Sequence, residues 1–176
     1  MKKLTLFFIL SILLIPASGC YAHGPWRGKV IDAETKQPIE GAAVVAVWEK
    51  HIATGVGTAT YFLAAEETVT NKDGEFKSSS KIFLSIPGIR QIKGPFFTIY
   101  KPGYGAYYDK GLETKSVVEL PKLNTKKDRD KAVDDATSIL AVGKEDALGV
   151  PRSKVPNLIR LINKENRYLG FKGEIK

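Results

Sequence analysis

Apolar residues fall into three regimes along the chain. Residues 4–15 carry no charge. Between residues 28 and 120, short β-branched runs alternate with Gly, Pro, Asn and Asp. Beyond Pro121, apolar positions recur every three or four residues. The regimes predict an exported leader, a set of short strands and a pair of amphipathic helices, in that order.

In the middle regime, residues 28–32 predict a first strand. The polar stretch 32–38 predicts a hairpin connection closed by Pro38, whose fixed φ suits the start of the next strand. Residues 42–48 are Val-rich and almost wholly apolar, the pattern of a strand covered on both faces. Glu67-Thr68-Val69-Thr70 and Glu75-Phe76-Lys77 flank Asn71-Lys72-Asp73-Gly74, a turn signal that predicts a hairpin. Residues 82–86, 96–100 and 116–120 bring the expected total to about seven strands, the count of a small sandwich. Residues 51–66, rich in Ala, Thr and Gly, read as a long connection. With Tyr61-Phe62-Leu63 inside it, that connection is either a partner-docking element or an extra hairpin laid on its own domain.

In the third regime, Thr125 with Asp128 three residues on is a weak capping box. Ala132, Val133, Ala136, Ile139 and Leu140 share one helical face and Gly143 marks a stop, so a helix is expected over about 126–142. A second is expected over 153–166, with Pro156 in its first turn and Val155, Ile159 and Ile162 on one stripe. The expected organisation is a leader (1–19), a tether (20–27), a sandwich (28–120) and a helical extension (121–176).

Several of these motifs together resemble the carboxypeptidase regulatory-like domain family. They are Gly28-Lys29-Val30-Ile31-Asp32, Pro38-Ile39-Glu40-Gly41-Ala42-Ala43-Val44, Thr70-Asn71-Lys72-Asp73-Gly74-Glu75-Phe76 and Lys101-Pro102-Gly103-Tyr104. The resemblance spans roughly residues 26–120. It implies a mainly β fold, a seven-stranded transthyretin-like sandwich, here with a C-terminal helical extension. It also implies an accessory, non-catalytic role, since such domains usually sit beside a catalytic or transport domain. Lys36 stands where the family's first hairpin commonly has Gly.

Composition sharpens the picture at the N-terminus. Lys2 and Lys3 precede the apolar run, which is too short to span a bilayer as a helix and fits a secretory signal. It ends in Ala17-Ser18-Gly19-Cys20, similar to the lipobox of bacterial lipoproteins, in which the Cys is acylated. Cys20 is the chain's single cysteine, and an unpaired thiol at the signal boundary of an exported protein suits lipidation. The resemblance implies a membrane partner reached through Cys20 and an outer-membrane anchor facing the periplasm. The alternative is ordinary cleavage, after Gly19 or Ala22, giving a soluble periplasmic or secreted protein.

One Cys and two His leave no internal disulfide and no structural zinc site, and no cofactor is expected. The chain carries 27 Lys+Arg against 19 Asp+Glu, a net charge of +8. Residues 121–176 hold 13 basic and 8 acidic side chains. Lys126-Lys127-Asp128-Arg129-Asp130-Lys131 interleaves the two signs as a solvated helix does, and export argues against nucleic acid as a partner.

Neither histidine has a catalytic companion in sequence. His23 falls in the expected tether and His51 at an expected strand end. The His-x-x-Glu of zinc carboxypeptidases is absent, as are Gly-x-Ser-x-Gly, P-loop and dinucleotide fingerprints. The C-terminal Tyr-Arg-Gly-Ser of transthyretin-like urate-pathway hydrolases is missing too. Gly55-Val56-Gly57 is too short to cradle a phosphate. The one suggestive binding stretch holds Tyr100, Tyr104, Tyr107, Tyr108 and Asp109, rings and a carboxylate suited to stacking on and hydrogen-bonding sugars. The same rings would equally serve to cover a sandwich corner and a sheet edge. The sequence thus predicts a non-enzymatic, lipid-anchored envelope module with a protein or glycan partner. A glycan- or peptidoglycan-binding module using the Tyr loop is the alternative, and an uncharacterised hydrolase a more distant one.

Overall fold

A computed structural model of the chain describes residues 20–86, 88–109, 115–140 and 149–175. The expected leader and the Gly143 stop lie outside them. The described residues form nine strands and two α-helices: β1 (Cys20–His23), β2 (Trp26–Asp32), β3 (Ala43–Thr54), β4 (Gly57–Val69), β5 (Glu75–Ser78), β6 (Lys81–Leu84), β7 (Arg90–Tyr100), β8 (Tyr107–Asp109), β9 (Ser116–Leu120), α1 (Lys126–Thr137) and α2 (Pro156–Leu169).

Seven strands make two facing sheets, ordered β5-β2-β9 and β4-β3-β7-β8, and β1 pairs with β6 as a separate ribbon. The architecture is mostly β, a sandwich with C-terminal helices.

The apolar run of β3 explains the layering. Side chains alternate across a strand, and residues 43–48 are buried on both sides. Val44, Ala46 and Trp48 face the other sheet, in a core with Val30, Phe76, Phe97, Ile99, Val118 and Leu120. Ala43, Val45 and Val47 face the helices, in a core with Ala132, Ala136, Leu158 and Ile162. The helices therefore cover the outer face of the four-stranded sheet, while among the described residues no element covers the outer face of β5-β2-β9.

Four sequence expectations change here. Residues 51–66 are not a connection: β3 and β4 pair from Ala43↔Val69 to Thr54↔Gly57. The turn between them is closed by Thr54 Oγ1 donating to Gly57 O at 2.9 Å. Small residues hid this hairpin because they carry little of the apolar alternation that marks a strand. A bulge between Trp48 and Glu49 shifts its register. Gly94 of β7 sits against that bulge with φ +108, and a Cβ there would lie 2.5 Å from Val47 O.

Residues 20–27 are not a free tether. His23↔Lys81 and Trp26↔Ser78 continue one register, so β1/β6 extends the β2/β5 pair past a break at residues 24–25 and 79–80. Aromatic contacts hold this extension down: Trp48 lies 5.9 Å from Trp26 and 5.7 Å from Phe83, ring centre to ring centre.

Residues 32–38 do turn back on themselves, with Ile31 bridged antiparallel to Pro38 and Asp32 N donating to Gln37 O at 2.9 Å, but neither predicted turn joins two strands of one sheet. Residues 33–42 and 70–74 each carry the chain from one sheet to the other. A polar side chain fixes each crossing, buried Asp32 in the first and exposed Asn71 in the second. Asp32 Oδ1 accepts from the N–H groups of Glu34 and Thr35, both at 2.9 Å. Asn71 Oδ1 accepts from Asp73 N and Glu75 N at 3.0 and 2.8 Å.

The helices shift as well. Thr125 caps α1 by accepting from Asp128 N at 3.1 Å, but α1 ends at Thr137 rather than 142. The second helix begins at Pro156 and runs to Leu169, and Gly170, with φ +100, ends it.

Candidate functional site

The four tyrosines singled out in the sequence have different surroundings. Tyr100 closes β7 with 1 % of its surface exposed, under the helices. Burial, reinforced by the nearby Glu165 carboxylate, pushes its hydroxyl pKa well above the ordinary value. Tyr104 is half-buried at the corner, where its hydroxyl bonds the Asp32 carboxylate. Burial raises its pKa and the Asp32 charge adds to the effect. Tyr107 packs on the inter-sheet core. Tyr108 is the outlier, 53 % exposed on β8, an edge of its sheet. Asp109 holds the register position opposite Phe97, and its side chain, like those of Cys20 and His23, lies outside the described part. The rings do not converge on one surface.

His51 lies in the interior of β3 rather than at a strand end, between Thr60 and Gln91. Its Nε2 is 3.1 Å from Glu49 Oε2. Among the described residues, no three His, Cys, Asp or Glu side chains gather as metal ligands do.

Many other polar side chains that could do chemistry are bound to the main chain instead. Thr70 Oγ1 accepts from Ala42 N at 2.9 Å and donates to Ile39 O at 2.6 Å. Glu67 accepts from the N–H groups of Asn157 and Leu158 at the start of α2. Together with Asp32 and Asn71, these groups hold the backbone where it changes sheets or meets a helix.

One charged surface is the outer face of β5-β2-β9, which no described element covers. Arg27 of β2 stands directly opposite Lys77 of β5. Lys115, held at φ +72, donates its N–H to Arg27 O at 2.6 Å and so brings a third cation alongside. Lys29 is two residues further along β2. These four cations and the single carboxylate of Glu75 are the charged walls of a groove of about 570 Å³ that reaches Asn71, Thr68 and Phe76. Like charges directly opposite each other in an antiparallel pair destabilise it, and a bound anion would remove that cost. The sequence carried this signal only as cations two residues apart at 27 and 29; the strand pairing that adds Lys77 and Lys115 is invisible there.

A second groove, about 660 Å³, runs along α2 beside Ile159, Arg160 and Arg167. The chain's own C-terminal segment borders it: Asn163 bonds both the N–H and the C=O of Ile175 at 2.9 Å, and Arg167 pairs with Glu174 at 2.7 Å.

No protein-family model matches the chain, and no curated protein matches it. Among solved structures, it is similar to the C-terminal domain of the shaft pilin spaA from Lactobacillus rhamnosus GG. That similarity covers 60 % of this chain and 99 % of the pilin domain at 15 % identity and a TM-score of 0.31, too low to carry fold or function across. Among the described residues, no helix is long and apolar enough to cross a membrane.

Proposed function

We propose that the protein is a non-enzymatic module of the cell envelope, exported, tethered to the membrane through an acylated Cys20, and presenting its cationic sheet face to an anionic envelope partner. The observation that carries this reading is Arg27 facing Lys77 on a sheet face that no described element covers, with Lys115 beside them. Asp32, Glu67, Thr70 and Asn71, bound to backbone, support a scaffold rather than a reactive centre. The resemblance of its motifs to carboxypeptidase regulatory-like domains supports an accessory role, and the lipobox-like Ala17-Ser18-Gly19-Cys20 supports a place on the outer membrane facing the periplasm.

Two measurements test it. Metabolic labelling with a fatty acid analogue labels the native protein and not Cys20→Ser; an unlabelled native protein removes the tether. Co-purification from crosslinked envelopes recovers a partner that is lost with Arg27→Glu/Lys77→Glu. An unchanged partner set in that variant removes the cationic face from the proposal.

Tyr108, exposed on an edge strand, favours a second reading, a glycan or peptidoglycan contact along β8. Pull-down of glycan or peptidoglycan unaffected by Tyr107→Ala and Tyr108→Ala disposes of it.

A further inference from the structure

One end of the sandwich gathers exposed apolar side chains that the cationic face does not use. The β3–β4 turn carries Val56, 101 % exposed, and the β6–β7 turn carries Ile89, 60 % exposed. The two turns are joined, since Ala53 donates its N–H to Ile89 O at 3.0 Å. Leu84, 48 % exposed, ends β6 just before the second turn. Cys20 holds the register position opposite Leu84. The 19 residues that precede the described chain therefore join it at this end.

Charge is graded behind the tips. Moving back from the turns, the rows of β3, β4 and β7 present Arg90 opposite Ile52, then Lys50 opposite Tyr61 and Ile92, then Lys93 opposite Glu49. Three cations meet one carboxylate there. Lys50 Nζ sits 5.3 Å from the Tyr61 ring centre, and Lys93 lines a niche of about 310 Å³ with His51 and Ile89. Apolar tips followed by cations and a ring with a polar end match the gradient from acyl chain to headgroup.

We infer that this end of the sandwich rests on an anionic phospholipid surface, with Val56, Ile89 and Leu84 entering the interface and Arg90, Lys50 and Lys93 at headgroup level. The inference takes its orientation from the proposed tether at Cys20. It leaves the groove of Arg27 and Lys77 clear of the bilayer, several rows along β2 and β5. The membrane is the occupant because the proposed acyl anchor at Cys20 stands at this end, opposite Leu84, and because the cations behind the tips complement anionic headgroups. Each such cation contributes about a fivefold gain in partition near an anionic surface.

Tryptophan placement on the full chain, as the cell processes it, tests this. Val56→Trp, Ile89→Trp and, on the turn at the opposite end, Lys72→Trp are each compared with the parent in vesicles of phosphatidylcholine and phosphatidylglycerol brominated near the headgroup end of the acyl chains. Docking predicts that the first two lose most of the added emission and that the third keeps it. Equal quenching at all three positions, or quenching at none, overturns the inference. Fatty-acid labelling of the same preparations separates the two readings. A labelled chain with unquenched tips keeps the tether and loses the docking. An unlabelled chain with quenched tips keeps the docking and loses the tether.

Discussion

The carboxylate of Glu67, on β4, receives the backbone N–H of Leu158 at 2.6 Å and the N–H and side-chain amide of Asn157 at 2.8 and 2.9 Å. The helix that begins there, α2, has Val155 at its N-cap and no capping side chain of its own. A residue of the sheet thus satisfies the open N–H groups and opposes the positive end of the helix. Glu67→Ala should cost about 2 kcal/mol in equilibrium denaturation, and Glu67→Gln roughly half that, since an acceptor remains. If Glu67→Ala unfolds at the same denaturant concentration as the parent, the cap contributes nothing.

Arg129 of α1 and Glu165 of α2 form a two-pronged ion pair, with Nη2 to Oε2 at 2.9 Å and Nε on Oε1. Glu165 is 1 % exposed, and the guanidinium also lies 3.7 Å from the centre of the Tyr168 ring. Removing one partner strands the other, so Glu165→Ala should cost about 3–5 kcal/mol. Replacing both, as Arg129→Met with Glu165→Leu, should return stability to within about 1–2 kcal/mol of the parent. Thermal melts of the two single variants and the double variant decide; equal losses in Glu165→Ala and the double would show that packing, not the stranded charge, sets the cost.

Asp32 predicts an acid limb. The N–H of Thr35 foremost, then that of Glu34, holds its carboxyl below the ordinary value against the opposing effect of burial. A carboxyl whose pKa is lower in the folded state stabilises the fold above its unfolded pKa. That contribution is lost as pH falls through the folded value. Melting temperature should therefore drop below about pH 4, and Asp32→Asn should flatten the drop. Glu66 leaves a residual slope: burial raises its carboxyl, but hydrogen bonds from Ser79 outweigh that and lower it. A parallel acid limb in Asp32→Asn would exclude Asp32 as a source.

Gly74 and Gly55 should respond oppositely to Ala. Gly74 has φ +73, and a Cβ on it would lie 2.4 Å from Val30 O, while a Cβ on Gly55 would meet nothing within 4 Å. Gly74→Ala should destabilise by about 2 kcal/mol or more. Gly55→Ala should be neutral or stabilise by up to about 1 kcal/mol. Equal denaturation midpoints for the two variants would contradict the close approach of the 70–74 crossing to β2.

These contrasts show which information the sequence held. The doubly covered strand was legible because Val44, Val45 and Val47 leave no polar row in β3, and the strand-rich fold with helices after it followed from similar local patterns. Asn71 and Gly74 marked a turn correctly, but turn chemistry does not say whether the flanking strands pair or separate into two sheets. The distal part of β3–β4 was hidden by Ala, Thr and Gly, and the strand at residues 20–23 by its nearness to the expected leader. Glu67 could not be read as a cap, because its helix lies some ninety residues away. The cationic face escaped for a related reason: Arg27, Lys77 and Lys115 meet only through register.

The pairing of β2 with β9 is parallel, from Gly28↔Ser116 to Asp32↔Leu120. These strands are the segments through which the N-terminal ribbon and the helical extension attach to the sandwich. A pull between those two ends would drag β2 and β9 past one another along their length, loading all the hydrogen bonds of the ladder together instead of opening them one by one. Mechanical resistance between β2 and β9 would then be concentrated at this short ladder.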